Sequence, residues 1–279
     1  QTISTVEFLD LYEARELYTL KPELGDKTME YSKKIEHVLN RMTAVDPDRK
    51  KLWLERAQKF ESEARFLANA QLPDIPDTGD NLLLPSNCKV QQAVIHREPE
   101  FPQQKRYTIA QELWSVMDND SRAALVLHEL SYRDAFSMGH INSKLARYFD
   151  ALIFDELWLG TQTLRSYIRL ISEIKFPFSH RGVSILLDDQ YRFYSDGKFC
   201  SARSAGVTPI QVGQNKFDPE YVEFFQDGPI SSMRTLTDTT LEIGPHGLGF
   251  RRGNIDFYRN GVPTNFFAAG GEVAVQGRK

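Results

Sequence analysis

Several features that would fix the class of this protein at once are scarce or missing. Its 279 residues include only two cysteines, too few and too widely separated for a cysteine metal motif. No apolar run reaches the length of about 18 residues that is typical of a transmembrane helix. The net charge of −4 at pH 7, without a basic cluster, argues against nucleic acid as a partner. Hydrophobic residues (41%) and charged residues (26%) are present in the proportions of a folded globular protein.

The two cysteines, Cys88 and Cys200, leave two arrangements open. In an oxidising compartment they would form a disulfide bond between the two halves of the chain, and otherwise both are expected to be buried thiols. A free thiol exposed to solvent would count against export. The chain begins at Gln1 without a visible signal peptide, which suits a mature exported protein and equally a trimmed one.

The distribution of apolar residues predicts an α+β fold with two domains. Residues 1–180 are predicted to form a mainly helical domain with a small sheet, and residues 181–279 a β domain. Within the first domain, residues 1–71 are typical of a helical hairpin, because apolar residues recur at the spacing of one helix face. These positions are Tyr31, Ile35, Val38 and Met42 in one helix and Trp53, Ala57, Phe60 and Ala64 in the next. Asp46 and Pro47 predict the start of the second helix.

A motif that occurs three times indicates repeated hairpins in the second domain. Residues 193–197, 224–228 and 257–261 each begin with two aromatic residues and end in Asp-Gly or Asn-Gly. Their starts lie 31 and then 33 residues apart, a period typical of repeat arrays. Since Asp-Gly and Asn-Gly favour two-residue type I′ turns, the pattern predicts an antiparallel β-repeat domain with equivalent turns.

His128 and Glu129 lie in a predicted helix between Asp118 and about Met138, within a predicted core over residues 84–175. This arrangement is similar to the helix of zincin metallopeptidases, in which two histidines four residues apart bind zinc and the glutamate acts as general base. Tyr132 stands at the second histidine position and is a poor zinc ligand. The sequence therefore predicts a degenerate site without a metal cofactor. In the alternative, zinc is bound by His128 with His140 or Asp150, and Glu129 is catalytic.

Alternation along the repeated strands predicts one core face and one face with an aromatic ladder. The ladder consists of Tyr194, Phe225 and Tyr258, and two-residue turns would place Phe199 and Ile230 opposite the first two. Exposed rings of this kind would bind a glycan or an envelope protein. Alternatively, the helical domain or a second copy of the chain covers the ladder, which would make a homo-oligomer.

Four short segments resemble a known group of sequences. They are LPSNC at 84–88, HELSYR at 128–133, GHINS at 139–143 and RYF at 147–149. In this order, with FYxNG-type repeats at the end, they are similar to uncharacterised exported proteins of predatory deltaproteobacteria. The resemblance covers about residues 80–155 and the repeats. It implies a location in the envelope: the periplasm, the outer membrane surface or the exterior.

The function predicted from these features is that of a non-catalytic, envelope-associated binding or structural protein, whose ligand is a glycan, a cell-wall component or a protein. The alternative is a zinc-dependent hydrolase that acts on peptide or peptidoglycan, with the repeats as a substrate-binding attachment.

Overall fold

The computed structural model describes residues 5–73, 84–205, 209–212, 215–243, 246–268 and 271–274. Within these ranges, the side chains of residues 239, 241–249, 267–268 and 271–274 are not described. The chain forms two compact units, Gln1–Gln162 and Thr163–Lys279. The fold is α+β, as the sequence predicts, with helices and a small sheet in the first unit and a large antiparallel sheet in the second.

The described part of the first unit contains α-helices and one 3-10 segment, Arg41–Ala44. The helices are α1 Leu9–Glu16, α2 Tyr31–Asn40, α3 Pro47–Glu63, α4 Gln111–Val116, α5 Asn119–Ser137, α6 Lys144–Phe154 and α7 Glu156–Gly160. The strands are β1 Ala64–Leu67, β2 Val94–His96 and β3 Tyr107–Ala110. They form a sheet in the order β1-β3-β2, with β1 and β3 parallel and β2 and β3 antiparallel.

The predicted helical hairpin is α2 and α3, and the apolar seams of both helices lie in the core. Ile35 and Val38 of α2 and Trp53 and Phe60 of α3 are buried. Helix α3 begins where predicted, because the side chain of Asp46 accepts a hydrogen bond from the backbone N–H of Arg49 at 3.1 Å, with Pro47 in the first turn.

Helix α5 is the central element of the first unit. The carboxylate of Asp118 accepts a hydrogen bond from the backbone N–H of Ser121 at 2.8 Å, which fixes its predicted start. Residues 123–131 are all buried, because α5 packs against α1, α2, α3 and α6. A polar side chain in the middle of this helix therefore lies in the protein interior rather than in solvent.

The second unit contains helix α8 Leu164–Glu173 and a sheet in the order β14-β13-β12-β10-β9-β6-β5-β4, with β11 paired to β12. Its strands are β4 Pro177–His180, β5 Val183–Phe193, β6 Phe199–Ser204, β9 Pro219–Phe224, β10 Ile230–Thr235, β11 Thr239–Ile243, β12 His246–Phe257, β13 Pro263–Ala268 and β14 Gly271–Ala274. The short strands β7 Ile210–Val212 and β8 Asn215–Phe217 pair separately.

The boundary between the units lies upstream of the position predicted at residue 180. Helix α8 packs against β4 and β5 and thus belongs with the sheet, although its sequence continues the helical pattern of the first unit. In the described parts of both units, no helix combines the length and the apolar composition needed to cross a lipid bilayer.

The three repeated motifs form hairpin tips with the same hydrogen bonds. Tyr194 N–H donates to Lys198 O, Phe225 N–H to Pro229 O and Tyr258 N–H to Val262 O, at 2.8–2.9 Å. In each tip the glycine N–H donates to the carbonyl of the second aromatic residue, at 2.8–3.1 Å. The predicted two-residue turns are therefore wrong: the loops have three residues, and Gly197 (φ 84°) and Gly261 (φ 81°) adopt the left-handed conformation of a bulge.

Candidate functional site

Helix α5 places His128 and Glu129 inside the first unit. Their exposed fractions are 8% and 5%, because the helix is covered on nearly every side at this point. The predicted location of this pair on a helix is confirmed. A buried imidazole and a buried carboxyl group require polar partners, since desolvation of a polar group without a hydrogen bond is costly.

Two aspartates from other helices supply those partners to His128. Asp10 of α1 approaches with its Oδ2 atom 2.8 Å from His128 Nδ1, and Asp150 of α6 with its Oδ2 atom 3.5 Å from the same nitrogen. The hydroxyl of Ser131, one turn along α5, donates to Asp150 Oδ2 at 2.6 Å. Asp10 and Asp150 are both completely buried. We call Asp10, His128 and Asp150 the interior triad.

Burial shapes the protonation of this region. It raises the pKa of Glu129 to about 7, with His128 opposing the shift, and it also raises the pKa of Asp150 to about 7. Burial alone would lower the pKa of His128, but the Asp10 carboxylate and the hydrogen bonds to both aspartates hold it well above its usual value. The raised pKa of His128 therefore keeps its imidazole charged beside Asp10, while burial favours the neutral forms of Glu129 and Asp150.

Three carboxylate oxygens in this region are buried without a hydrogen-bond partner among the described residues: Asp10 Oδ1, Asp150 Oδ1 and Glu129 Oε2. Buried polar atoms are nearly always satisfied, so a proton, a buried water molecule or a cation is expected to complete these three oxygens. The donor atoms of the triad lie within 4.8 Å of one another, close enough to hold one metal ion.

The structure brings together two of the predicted metal candidates, His128 and Asp150, but not His140. His140 is half-buried in the turn after α5, where its N–H donates to Ala135 O, and it is outside the interior triad. Tyr132, at the second histidine position of the zincin pattern, stacks its ring against that of His128 with centroids 6.1 Å apart. Asp10 was not predicted as a site residue. The sequence shows it only as an acidic residue between two leucines, and it lies 118 residues before His128.

The second unit carries an open groove on one face of its sheet, with a volume of about 330 Å³. Side chains from five neighbouring strands line it: Gln190, Arg203, Glu220, Tyr221, Arg234 and Asn254. Tyr221 pairs with Arg203 on one side and with Arg234 on the other, so these residues form a row across the sheet. We call this feature the sheet groove.

The arginines of the sheet groove are only loosely paired. Glu220 lies 3.6 Å from an Arg203 nitrogen and 3.4 Å from Arg234 Nε, beyond the usual range of a charge-assisted hydrogen bond. Nearby Arg192 lies over the Tyr221 ring and donates to its hydroxyl at 2.5 Å, which fixes the orientation of that ring. The groove thus combines a fixed aromatic side chain with guanidinium groups that retain free donor capacity.

The predicted pairing of ladder residues with Phe199 and Ile230 is wrong. Phe199 pairs with Phe193, and Ile230 pairs with Phe224. The additional loop residue shifts the register by one, and a shift of one residue turns a side chain to the other face of the sheet. Phe199 and Ile230 are consequently buried in the core.

The three ladder residues themselves occupy equivalent positions at the hairpin tips but differ in exposure. Tyr194 and Phe225 are half-buried, and only Tyr258, at 37%, is exposed. The Tyr194 hydroxyl donates to Phe224 O, and the Arg259 guanidinium lies 4.9 Å from the centre of the Phe225 ring. The side chains of Tyr194 and Phe225 therefore make contacts within the sheet itself.

No protein-family model, no curated protein and no solved structure matches this chain.

Both cysteines are free thiols, Cys88 exposed and Cys200 half-buried. The prediction that both thiols are buried if unpaired is wrong for Cys88, which lies in a loop before β2. An exposed free thiol is unusual in an oxidising compartment and thus counts against export.

Proposed function

We propose that the second unit is a glycan-binding module and that its ligand is an extended, carboxylate-bearing glycan that lies in the sheet groove. The observation that carries the proposal is the row of planar polar side chains around Tyr221, which comes from five strands of one rigid sheet. A site built on strands fixes the backbone positions that carry its donors and acceptors, which limits the conformational entropy lost on binding. The repeated hairpins serve to build this platform.

The side chains fit the chemistry of a sugar. Tyr221 provides an apolar ring edge, while Gln190 and Asn254 provide amide donors and acceptors for hydroxyl groups. Two arginines and one glutamate line the groove. With Asp188, which lies 3.6 Å from Arg203 Nε, and Arg192, which contacts Tyr221, three arginines and two carboxylates surround it, a positive balance in a protein whose overall charge is negative. This charge favours a sugar with a carboxylate, which an arginine can bind through two parallel hydrogen bonds.

Titration calorimetry with oligosaccharides of a uronic acid, compared with neutral oligosaccharides of the same length, tests the proposal. We expect binding of the acidic oligomers alone, with affinity that falls as salt increases. The double variant R203Q/R234Q should lose at least about tenfold in affinity, roughly the effect of losing one charged hydrogen bond. The matched control is Arg169→Gln, an exposed arginine of α8 in the same unit. If R203Q/R234Q binds the acidic oligosaccharides as tightly as Arg169→Gln does, or if the wild type does not bind them, the sheet groove is not the binding site.

The alternative of a zinc-dependent hydrolase takes second place. It is favoured by the association of His128 with Asp150 and by Glu129 beside them. A catalytic zinc, however, keeps one position open for water and substrate, whereas these three side chains are buried. Cleavage of peptide or peptidoglycan that requires zinc and is lost in the variant Glu129→Gln would support the hydrolase function instead.

The envelope location and the protein partner remain predictions. Envelope placement rests on the sequence resemblance, and the exposed Cys88 thiol counts against it. Cell fractionation with an antibody against the native protein tests the location. Light scattering over a range of concentrations tests association through the hairpin tips, with Tyr258→Ser as the variant that should weaken it.

A further inference from the structure

We infer that Asp10, His128 and Asp150 form the binding site of a single divalent metal ion that stabilises the helical unit. This site is distinct from the sheet groove and requires no catalysis. It also departs from the expectation of no metal, which was based on the missing second histidine of the zincin pattern. That expectation considered ligands on α5 and on later segments, whereas the structure supplies Asp10 from α1.

The unsatisfied oxygens are the first argument for the ion. Asp10 and Asp150 are completely buried, and the second oxygen of each carboxylate has no hydrogen-bond partner in the described parts of the chain. By contrast, the neighbouring buried carboxylate of Glu13 accepts a hydrogen bond from Arg147 Nε at 3.0 Å. Glu13 thus pairs with Arg147, whereas the two aspartates share His128, and each keeps one oxygen without a partner that a carboxylate binding the ion through both oxygens would use. The ion would displace the proton that His128 holds between them.

The spacing of the donor atoms is the second argument. A tetrahedral ion with bonds of about 2.1 Å separates its ligands by about 3.4 Å. His128 Nδ1 and Asp150 Oδ2 lie 3.5 Å apart, and His128 Nδ1 and Asp10 Oδ2 lie 2.8 Å apart. The Asp10 carboxylate would have to move about 0.6 Å away from His128 Nδ1 to accept an ion in place of the hydrogen bond.

Charge and ligand type identify the class of ion. Two ionised aspartates and a neutral imidazole neutralise one divalent cation, which suits a fully buried site. An imidazole with two carboxylates favours Zn²⁺ or Mn²⁺ over Ca²⁺ and Mg²⁺, which prefer oxygen ligands alone. Three protein ligands leave the fourth position of a tetrahedral ion to water, as in catalytic sites, but the burial of all three side chains leaves a substrate no direct access and favours a structural role.

The ion would connect three helices that are distant in sequence. Asp10 belongs to α1, His128 to α5 and Asp150 to α6, and these helices contact one another pairwise. Because the ion binds the folded chain and not the unfolded chain, its concentration should control the stability of this unit.

Metal analysis of the full-length protein tests the inference directly. The protein is stripped with a chelator, incubated with Zn²⁺ or Mn²⁺ alone, separated from free ion by gel filtration and analysed by mass spectrometry. We expect about one ion per chain, and an unfolding temperature that rises with ion concentration. Tryptophan fluorescence reports this transition selectively, since Trp53, Trp114 and Trp158 all lie in the first unit.

Isosteric variants separate a metal site from a purely hydrogen-bonded network. Asp10→Asn and Asp150→Asn should each weaken metal binding at least about 100-fold, as expected for the loss of a ligand. The matched control is Glu13→Gln, which removes another buried carboxylate from α1 and should leave metal affinity unchanged. A chelated wild type that binds no ion, or equal metal responses in D10N and E13Q, would overturn the inference and indicate that the aspartates carry protons instead. If an asparagine variant fails to fold, the stoichiometry of the wild type still decides.

Discussion

The hydroxyl of Tyr194 donates a hydrogen bond to the main-chain carbonyl of Phe224, in the neighbouring hairpin. The same two tips are joined again by Gln226 Nε2, which donates to Asp196 Oδ2 at 3.1 Å. The second and third tips are joined in an equivalent way, since an Arg259 nitrogen donates to Asp227 Oδ1 at 2.8 Å. In both cases the third residue of one motif binds the aspartate of the motif before it. The repeated tips are therefore connected to one another.

Tyr194→Phe should lower the free energy of unfolding of the sheet by about 1 kcal/mol, the usual net value of one hydrogen bond. Tyr191→Phe is the control on the same strand, because no hydrogen bond of its hydroxyl is found in the described structure. Urea unfolding followed by circular dichroism measures both. Equal stability of the two variants would show that the Tyr194 bond contributes nothing.

Gly197→Ala and Gly261→Ala should each cost about 1–2 kcal/mol, because both glycines have left-handed backbone angles that disfavour a Cβ atom. Gly160→Ala, at the end of α7, should instead be neutral or stabilise by up to about 1 kcal/mol, since open space surrounds its Cβ position. Thermal unfolding of the three variants gives the ranking. A stabilised Gly197→Ala would contradict the three-residue loop.

His96 should make the first unit less stable in mild acid. Burial lowers the pKa of this histidine to about 4, with Arg106 lowering it further and Glu98 opposing the shift. In the unfolded chain His96 has its ordinary pKa near 6.5, so the unfolded chain takes up the proton first as the pH falls. The stability that neutral His96 contributes to the folded unit is therefore complete above about pH 6.5 and is lost as the pH falls to about 4. The difference amounts to up to about 3 kcal/mol.

Urea unfolding by tryptophan fluorescence between pH 7.5 and pH 4 measures this loss. The variant His96→Gln lacks the titrating group and should show a correspondingly shallower dependence of stability on pH, whatever its stability at pH 7.5. The same slope in both proteins would mean that His96 is not the group responsible.

Two thiols should react in denatured, unreduced protein taken from its natural compartment, because Cys88 and Cys200 are both free. In the folded protein Cys88 should react faster, since it is exposed and Cys200 is half-buried. Titration with a chromogenic disulfide reagent, with Cys88→Ser as the control, gives both the number and the order. A count of zero would establish a disulfide bond and support export.

Local patterns predicted the helices and the position of His128 and Glu129, because caps and apolar periodicity act over a few residues. Asp10 was beyond such reasoning, since its partner is 118 residues away and only the packing of α1 against α5 and α6 brings them together. The error at Phe199 and Ile230 has a different origin. An Asp-Gly pair fits both a two-residue turn and a three-residue loop with a bulge. The two loops differ by one residue, and this difference places the side chains of the following strand on opposite faces of the sheet.

The links between hairpin tips give the array a direction. The donor at the third motif position always reaches back to the preceding aspartate, and the last motif has neutral Asn260 where the earlier motifs have Asp196 and Asp227. Asn260 Oδ1 accepts only a local bond, from Val262 N–H at 3.1 Å, among the contacts described. A donor at the third position of a further hairpin grafted after the last motif would thus meet the neutral Asn260 Oδ1, and that link would lack the charge assistance that Asp227 gives to Arg259 unless Asn260 is changed to aspartate.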